Sequence, residues 1–148
     1  MFLLACNSSF IFLISDAVGN AATQVSRTIN VIDTTIPVIT LSGANPLNHE
    51  VGTIFTDPGA TANDNIDGSL TSSIGVSGSV NAGAVGTYIL SYNVADSAGN
   101  SATTLTRTVN VADTGAPLIT VTGANPVNHE INTSYADLGA TASDVVDG

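Results

Sequence analysis

The sequence predicts an all-β fold built from a repeated unit, and three observations carry that reading. Short runs rich in Val, Ile, Thr and Tyr alternate in polarity, are broken by Gly, Asn, Asp and Pro, and nowhere sustain a 3.6-residue apolar period. The stretch DTTIPVITLSGANPLNHE, from Asp33 to Glu50, returns as DTGAPLITVTGANPVNHE from Asp113 to Glu130, an offset of 80 residues. Turn signals recur every 8 to 12 residues inside that period, the spacing expected of a β-sandwich.

The repeat extends beyond the stretch that reveals it. Residues 16–68 laid over 96–148 without a gap are identical at 30 of 53 positions. Asp16, Arg27, Asp33, Glu50, Asp57, Asp64 and Asp67 recur as Asp96, Arg107, Asp113, Glu130, Asp137, Asp144 and Asp147, which accounts for every charged residue, and His49 recurs as His129. Self-similarity at a fixed period marks an array of one structural unit, so function is sought at the unit and its junctions. The expected division is a truncated preceding repeat over residues 1–33, a complete repeat over 34–113 and the opening of a following repeat over 114–148, the chain being a fragment of a longer array.

Within the complete unit, Val38 to Leu41 reads as a first strand entered through Pro37, whose missing N–H suits a strand's first position. Asn45-Pro46 turns the chain. A second extended region covers His49 to Phe55 and a third Gly59 to Asn63. The aspartate-rich turn Asp64-Asn65-Ile66-Asp67-Gly68 follows. Leu70 to Val80 reads as one or two strands with Ile74 and Val76 on one face. In the clearest strand, Thr87 to Ala95, Tyr88, Leu90, Tyr92 and Val94 share the inner face. After the turn Asp96-Ser97-Ala98-Gly99-Asn100, the last strand spans Ala102 to Val111, with Leu105, Val109 and Val111 inward. About seven short strands in 80 residues fit an immunoglobulin-like β-sandwich, and the absent Cys, Trp, Cys framework excludes an antibody-type domain. The partial copies should fold poorly unless they dock, because an isolated hairpin is marginal in water.

Composition narrows the partners. The chain has two Arg, no Lys and twelve acids, a net charge of −10, and one unit carries six carboxylates against one Arg. That balance excludes nucleic acid and anionic membrane as partners, since phosphate binding needs cationic side chains. It suits a secreted protein or one that binds cations, and the missing Lys rules out a Lys-to-Asn isopeptide staple. Cys6 is the only cysteine, so no internal disulfide forms. MFLLAC resembles a lipoprotein cleavage box, but it lacks a charged n-region and a full apolar h-region, which argues against a lipid anchor at Cys6. CNSS interrupts the apolar run short of a membrane span. Phe10, Phe12 and Ile14 take the places of Leu90, Tyr92 and Val94, so the segment reads as a strand of the preceding copy.

GTYILSYNVADSAGNSATTLTRTVNV, the DNIDGSLTSSIGVSGSVN before it and DTTIPVITLSG at the boundary together resemble the bacterial immunoglobulin-like repeats of insecticidal crystal toxins and large surface proteins, and are similar to the related hyalin repeat. The resemblance covers essentially the whole unit, and the run Tyr92-x-Val94-x-Asp96-x-x-Gly99-Asn100 is its most specific part. It implies a β-sandwich, extracellular or cell-surface placement, and tandem copies serving as stalk, spacer or adhesion modules, with no catalytic activity.

In such a sandwich the loop between the second and third strands and the loop between the last two lie at the end where the chain enters. Asp33, Asp64, Asp67 and Asp96 are therefore expected at one junction, where calcium would relieve their repulsion. Calcium takes six to eight hard oxygens, and extracellular modules bind it at roughly 0.1 to 1 mM. Asp113, Asp144 and Asp147, with a residue of the complete unit, would form the next site. The competing reading is ordinary turn chemistry, in which Asp and Asn bond their own backbone.

Other constellations point to structure. His49 with Glu50 invites zinc, but adjacent strand residues face opposite ways and the unit offers no second His or Cys. Asp57 and Arg107 are expected to pair at the sandwich rim, the Arg107 stem along apolar surface and its head at water. Ser77 in GVSGS misses the nucleophile-elbow spacing, and paired turn carboxylates without a Trp-lined cleft do not make a glycosidase. The rival function is an accessory module that binds a glycan. Tyr88 and Tyr92 face the core, so its stacking platform would be Phe55 or Tyr135.

Overall fold

A computed structural model describes residues 7–146, and the regular structure among them is strands apart from one 3-10 turn. The complete unit holds β3 (Val38–Leu41), β4 (Leu47–Glu50), β5 (Ala60–Asp64), β6 (Gly68–Ser69), β7 (Gly75–Ser77), β8 (Gly86–Asn93) and β9 (Leu105–Ala112). They form two sheets, ordered β3-β5-β6 and β4-β9-β8-β7. All pairs are antiparallel except β4 with β9, which run parallel. The result is the expected immunoglobulin-like sandwich.

Strand periodicity selects the core. In β8 and just beyond it Leu90, Tyr92, Val94 and Asp96 are buried, while Ile89 and Asn93 are exposed. In β9 the buried positions are Arg107, Val109 and Val111. Val51, Val109 and Val111 form the centre, with Leu47, Phe55, Val80 and Tyr88 packed around it. In β5 the same alternation buries Ala62 and Asp64. Two aspartates thus sit at core-facing positions at the ends of their strands.

Arg107 is 0% exposed, which corrects the expectation of a head at water. Its Nε lies 3.2 Å from Asp57 Oδ1 and donates to Tyr92 Oη at 3.2 Å. One terminal nitrogen donates to the Ala44 carbonyl, and the other donates to Ser42 O at 2.6 Å and Gly59 O at 2.9 Å. Tyr92 Oη in turn donates to Asp57 at 2.7 Å. Guanidinium presents five N–H donors in a fixed fork, and here backbone carbonyls flanking β3 and β5 supply acceptors that water would otherwise provide. The pair with Asp57 exists, but it ties the two sheets together instead of decorating the rim.

Two extended regions are shorter than expected. The second strand ends at Glu50, because Thr53 N–H and Oγ1 both donate to Glu50 O and Gly52 adopts φ +77°, closing a turn. Between Leu70 and Val80 the chain first makes a 3-10 turn over Thr71–Ser73, where Thr71 Oγ1 accepts from Ala62 N–H at 3.1 Å, and only Gly75–Ser77 pairs as a strand.

The flanks repeat the local geometry. β1 (Asn7–Phe12) pairs with β2 (Val25–Asn30), and its Phe10↔Arg27 register matches Leu90↔Arg107 after the 80-residue shift. β10 (Leu118–Val121) pairs with β11 (Ala140–Ser143), Leu118↔Ser143 matching Val38↔Asn63. These two ladders are exposed along their described length. Cys6 lies outside the described residues. Among those described, no helix is long and apolar enough to cross a membrane.

Arg107→Met should cost the unit about 3 to 5 kcal/mol in urea denaturation, since it leaves Asp57 without its ion partner and three carbonyls without their donor. Tyr92→Phe, which removes one hydroxyl, should cost about 1 kcal/mol. Arg27→Met, at the exposed counterpart, should stay within about 0.5 kcal/mol. Equal losses at Arg27 and Arg107 would show that the buried network does not hold the sheets together.

Candidate metal centre

Three of the four aspartates expected at the entry junction converge. Asp33, Asp64 and Asp96 each offer a carboxylate oxygen, and these oxygens lie within 4.8 Å of one another. Asp64 is 4% exposed and Asp96 8%, whereas Asp33 is half-buried.

Local hydrogen bonding holds each in place. Asp64 Oδ1 accepts the Ile66 N–H at 2.8 Å and the Asp67 N–H at 3.0 Å, a turn closed by Gly68 at φ +72°. Its Oδ2 is buried without a hydrogen-bond partner. Asp96 accepts from Asn100 twice, the backbone N–H to Oδ1 and the side-chain amide to Oδ2, both at 2.7 Å, in a turn completed by Gly99 at φ +93°. Asn100 Nδ2 also donates to the Asp33 carbonyl at 3.2 Å, fastening the entry linker to this loop. Asp33 Oδ1 accepts the Thr35 N–H at 2.9 Å. Burial pushes the Asp96 carboxyl upward, but the Asn100 bonds, together with the Gly99 and Ala98 backbone N–H groups, outweigh it and hold the group below its ordinary range.

Asp67 is not part of the cluster. Its Oδ2 accepts the Ser97 N–H at 2.7 Å and its Oδ1 the Ser97 hydroxyl at 2.8 Å, so it joins the two loops that carry Asp64 and Asp96. Sequence reasoning counted it with the other three because acidity alone does not reveal that its carboxylate is directed to Ser97.

The cluster can do one thing well. Carboxylates this close repel when ionised, and a buried acceptor without a donor is costly. Two oxygens bound to one calcium ion at 2.3 to 2.6 Å stand at most about 5 Å apart, so the observed spacing fits a single hard cation. The competing turn chemistry is present as well, but it occupies Oδ1 of Asp64 and leaves Oδ2 unused.

At the far end of the unit, Glu50 accepts the Thr114 N–H at 3.1 Å and the Thr114 hydroxyl on its other oxygen. These bonds, the hydroxyl's first, keep its carboxyl below the ordinary range, and Asp144 lies near enough to oppose them. Asp113 Oδ1 accepts the Gly115 N–H at 3.0 Å and Asp144 Oδ1 the Val146 N–H at 2.8 Å, while Asp147 lies outside the described residues.

The remaining candidates have structural duties. His49 Nε2 lies 3.2 Å from both the Thr53 carbonyl and its hydroxyl, and the ring stands edge-on to Phe55 at 5.2 Å. Phe55 packs on the core and is no free stacking platform, whereas its counterpart Tyr135 is 53% exposed, edge-on to His129. Ser77 sits exposed in edge strand β7.

Residues 39–111 match the family model described as bacterial surface protein, Ig-like domain. Among solved structures the chain is similar to the lipoprotein BT2262 from Bacteroides thetaiotaomicron, with 34% identity and a TM-score of 0.48 over 54% of this chain and 39% of that one. It is also similar to CBM51-2 in complex with GlcNAc and INT domains from Clostridium perfringens ZmpB, with 24% identity and a TM-score of 0.45 over 59% of this chain and 20% of that one. The chain therefore spans about two-fifths of the first and one-fifth of the second. No curated protein matches it. The sandwich and the sequence agree, and residues 39–111 belong to the Ig-like domain family of bacterial surface proteins.

Proposed function

We propose that the chain is a non-catalytic segment of a tandem Ig-like array, acting outside the cell as a stalk, spacer or adhesion module whose junctions are stiffened by calcium. The observation that carries the metal reading is the buried, unpartnered Asp64 Oδ2 beside the carboxylates of Asp33 and Asp96. One of these residues belongs to the entry linker and two to loops of the unit, so an ion held by all three ties the linker to the unit. Calcium suits three carboxylates without nitrogen or sulfur donors, its remaining positions going to carbonyls and water.

The Glu50 bonds to Thr114 favour the same role at the exit. They fix the outgoing linker against the turn after β4, where Gly52 sits close to Val145 of the following segment: a Cβ on Gly52 would come 3.0 Å from Val145 Cγ1. Glu50, Asp113 and Thr114 recur with the 80-residue period as Glu130, Asp33 and Thr34, so each junction of an array would carry the same parts.

Thermal melts test the metal. With calcium at about 10 mM and a dissociation constant of roughly 0.1 to 1 mM, binding should stabilise the unit by about 1.4 to 2.7 kcal/mol, raising the midpoint by several degrees over a chelator control. Asp64→Asn should abolish the shift while leaving the chelated protein folded. An unchanged wild-type midpoint would overturn the proposal.

Hydrogen exchange tests the exit latch. Glu50→Ala should make the Thr114 amide exchange roughly tenfold faster, with β8 and β9 unaffected. Because the Glu50 carboxyl is held below its ordinary value, the latch is complete above the unfolded pKa and weakens as pH falls through the folded one. Equal exchange in the two proteins would show that Glu50 does not restrain the linker.

A further inference from the structure

The three aspartates of the metal centre reach it from three separate segments. Asp33 belongs to the entry linker, Asp64 ends β5 and opens the turn to Gly68, and Asp96 opens the turn that follows β8. Ionised carboxylate oxygens within 4.8 Å of one another repel, so while no cation is bound these segments are pushed apart unless something ties them.

Two groups outside the triad supply ties. Asn100 Nδ2 donates to Asp96 Oδ2 at 2.7 Å and to the Asp33 carbonyl at 3.2 Å, joining the Asp96 turn to the linker. Asp67 joins that turn to the Asp64 turn: its Oδ2 accepts the Ser97 N–H at 2.7 Å, its Oδ1 accepts the Ser97 hydroxyl at 2.8 Å, and its own N–H donates to Asp64 Oδ1 at 3.0 Å. The three carboxylates are thus linked in series, Asp33 to Asp96 through Asn100 and Asp96 to Asp64 through Ser97 and Asp67. A cation entering a frame held in this way loses little to ordering its ligands, which is how residues beyond the coordinating atoms set metal affinity.

The repeat marks one of these ties as variable. Asp96, Gly99 and Asn100 have Asp16, Gly19 and Asn20 as counterparts 80 residues earlier. That turn closes in the same way, Asn20 donating its N–H to Asp16 Oδ1 and its side-chain amide to Asp16 Oδ2, both at 2.9 Å. Ser97, however, has Ala17 in its place. The exchange keeps a backbone N–H and removes the hydroxyl. Ser97 is exposed, so packing of the sandwich does not require its side chain.

We propose that Ser97 is a positioning residue that sets the calcium affinity of its junction: a unit with serine at this place fills at lower calcium than one with alanine, so an array stiffens junction by junction as calcium rises. The inference rests on the calcium reading of the Asp33, Asp64 and Asp96 cluster. Ser97 acts through Asp67 and does not coordinate the ion. Losing its hydroxyl leaves one bond instead of two between Asp67 and residue 97, and the Asp64 turn then yields to carboxylate repulsion while the site is empty. Removing an outer partner of a metal ligand weakens binding about 10- to 100-fold, and with one of the two bonds retained the loss should fall at the low end of that range.

Ser97→Ala in the full chain rebuilds the Ala17 turn inside the complete unit. Calcium is titrated against the isotope-labelled chain by NMR, following the Ile66 and Asp67 amides that donate to Asp64 Oδ1. Ser97→Ala should raise the dissociation constant about tenfold. Ser97→Thr, which keeps the hydroxyl, should restore the wild-type value, and both variants should melt in chelator within a few degrees of the wild type. Wild-type amides that do not respond to calcium would overturn the calcium reading and this inference together. A wild-type response with Ser97→Ala binding equally well would overturn the inference alone. So would tighter binding by Ser97→Ala, which would mean that a released Asp67 joins the ion, or a Ser97→Thr chain as weak as Ser97→Ala.

Discussion

The burial of one guanidinium organises this sandwich. Arg107 occupies a core position of β9, and no water reaches it, so every donor must find an acceptor inside the fold. Three carbonyls from the ends of the opposite sheet converge on it, and Asp57 with Tyr92 closes the remaining side. Such a network constrains register more than it adds net stability. A one-residue slip of β9 would turn Arg107 to solvent and place Thr108 against those carbonyls.

The same alternation creates the opposite problem at the entry end. Asp64 and Asp96 follow the inward parity of β5 and β8, as Arg107 follows that of β9, but the unit's only arginine is already engaged by Asp57. Other carboxylates find neutral donors: Asp67 takes Ser97, Glu50 takes Thr114, and Asp96 takes Asn100. Asp64 Oδ2 is left as the buried polar side-chain atom without a partner among the described residues. A chain without lysine offers no second side-chain cation to this unit, and the calcium proposed at the junction would supply the positive charge from outside the polypeptide.

Parity made most of the core legible from the sequence. Tyr88, Leu90, Tyr92 and Val94 read inward from their alternation, and the structure buries them wholly or in part. The position of Arg107 was legible by the same rule, but the fate of its head was not, since the carbonyls that receive it come from residues 42, 44 and 59 and leave no mark in composition. Extended regions were overread where local side-chain bonds intervene: Thr53 folds back on Glu50, and Thr71 turns the chain against Ala62. Convergence of Asp33, Asp64 and Asp96 followed from loop order in a sandwich. The diversion of Asp67 to Ser97 did not, because two loops had to meet before that bond could exist.

The duplicated sequence separates what this fold encodes locally from what it encodes by closure. Antiparallel pairs between segments near in sequence, such as Phe10 with Arg27 or Leu118 with Ser143, form in the flanks with the register they have in the complete unit. The parallel pairing of Leu47 with Val109 spans 62 positions and has no counterpart there, although the sequences of both strands recur. Long-range pairing requires both halves of the unit to be present together, and its loop-closure entropy is offset only when they are. Arg107 lies on this closure, since its acceptors belong to the first half and its strand to the second. The buried guanidinium is therefore satisfied only in a completed unit, which distinguishes a closed sandwich from its parts.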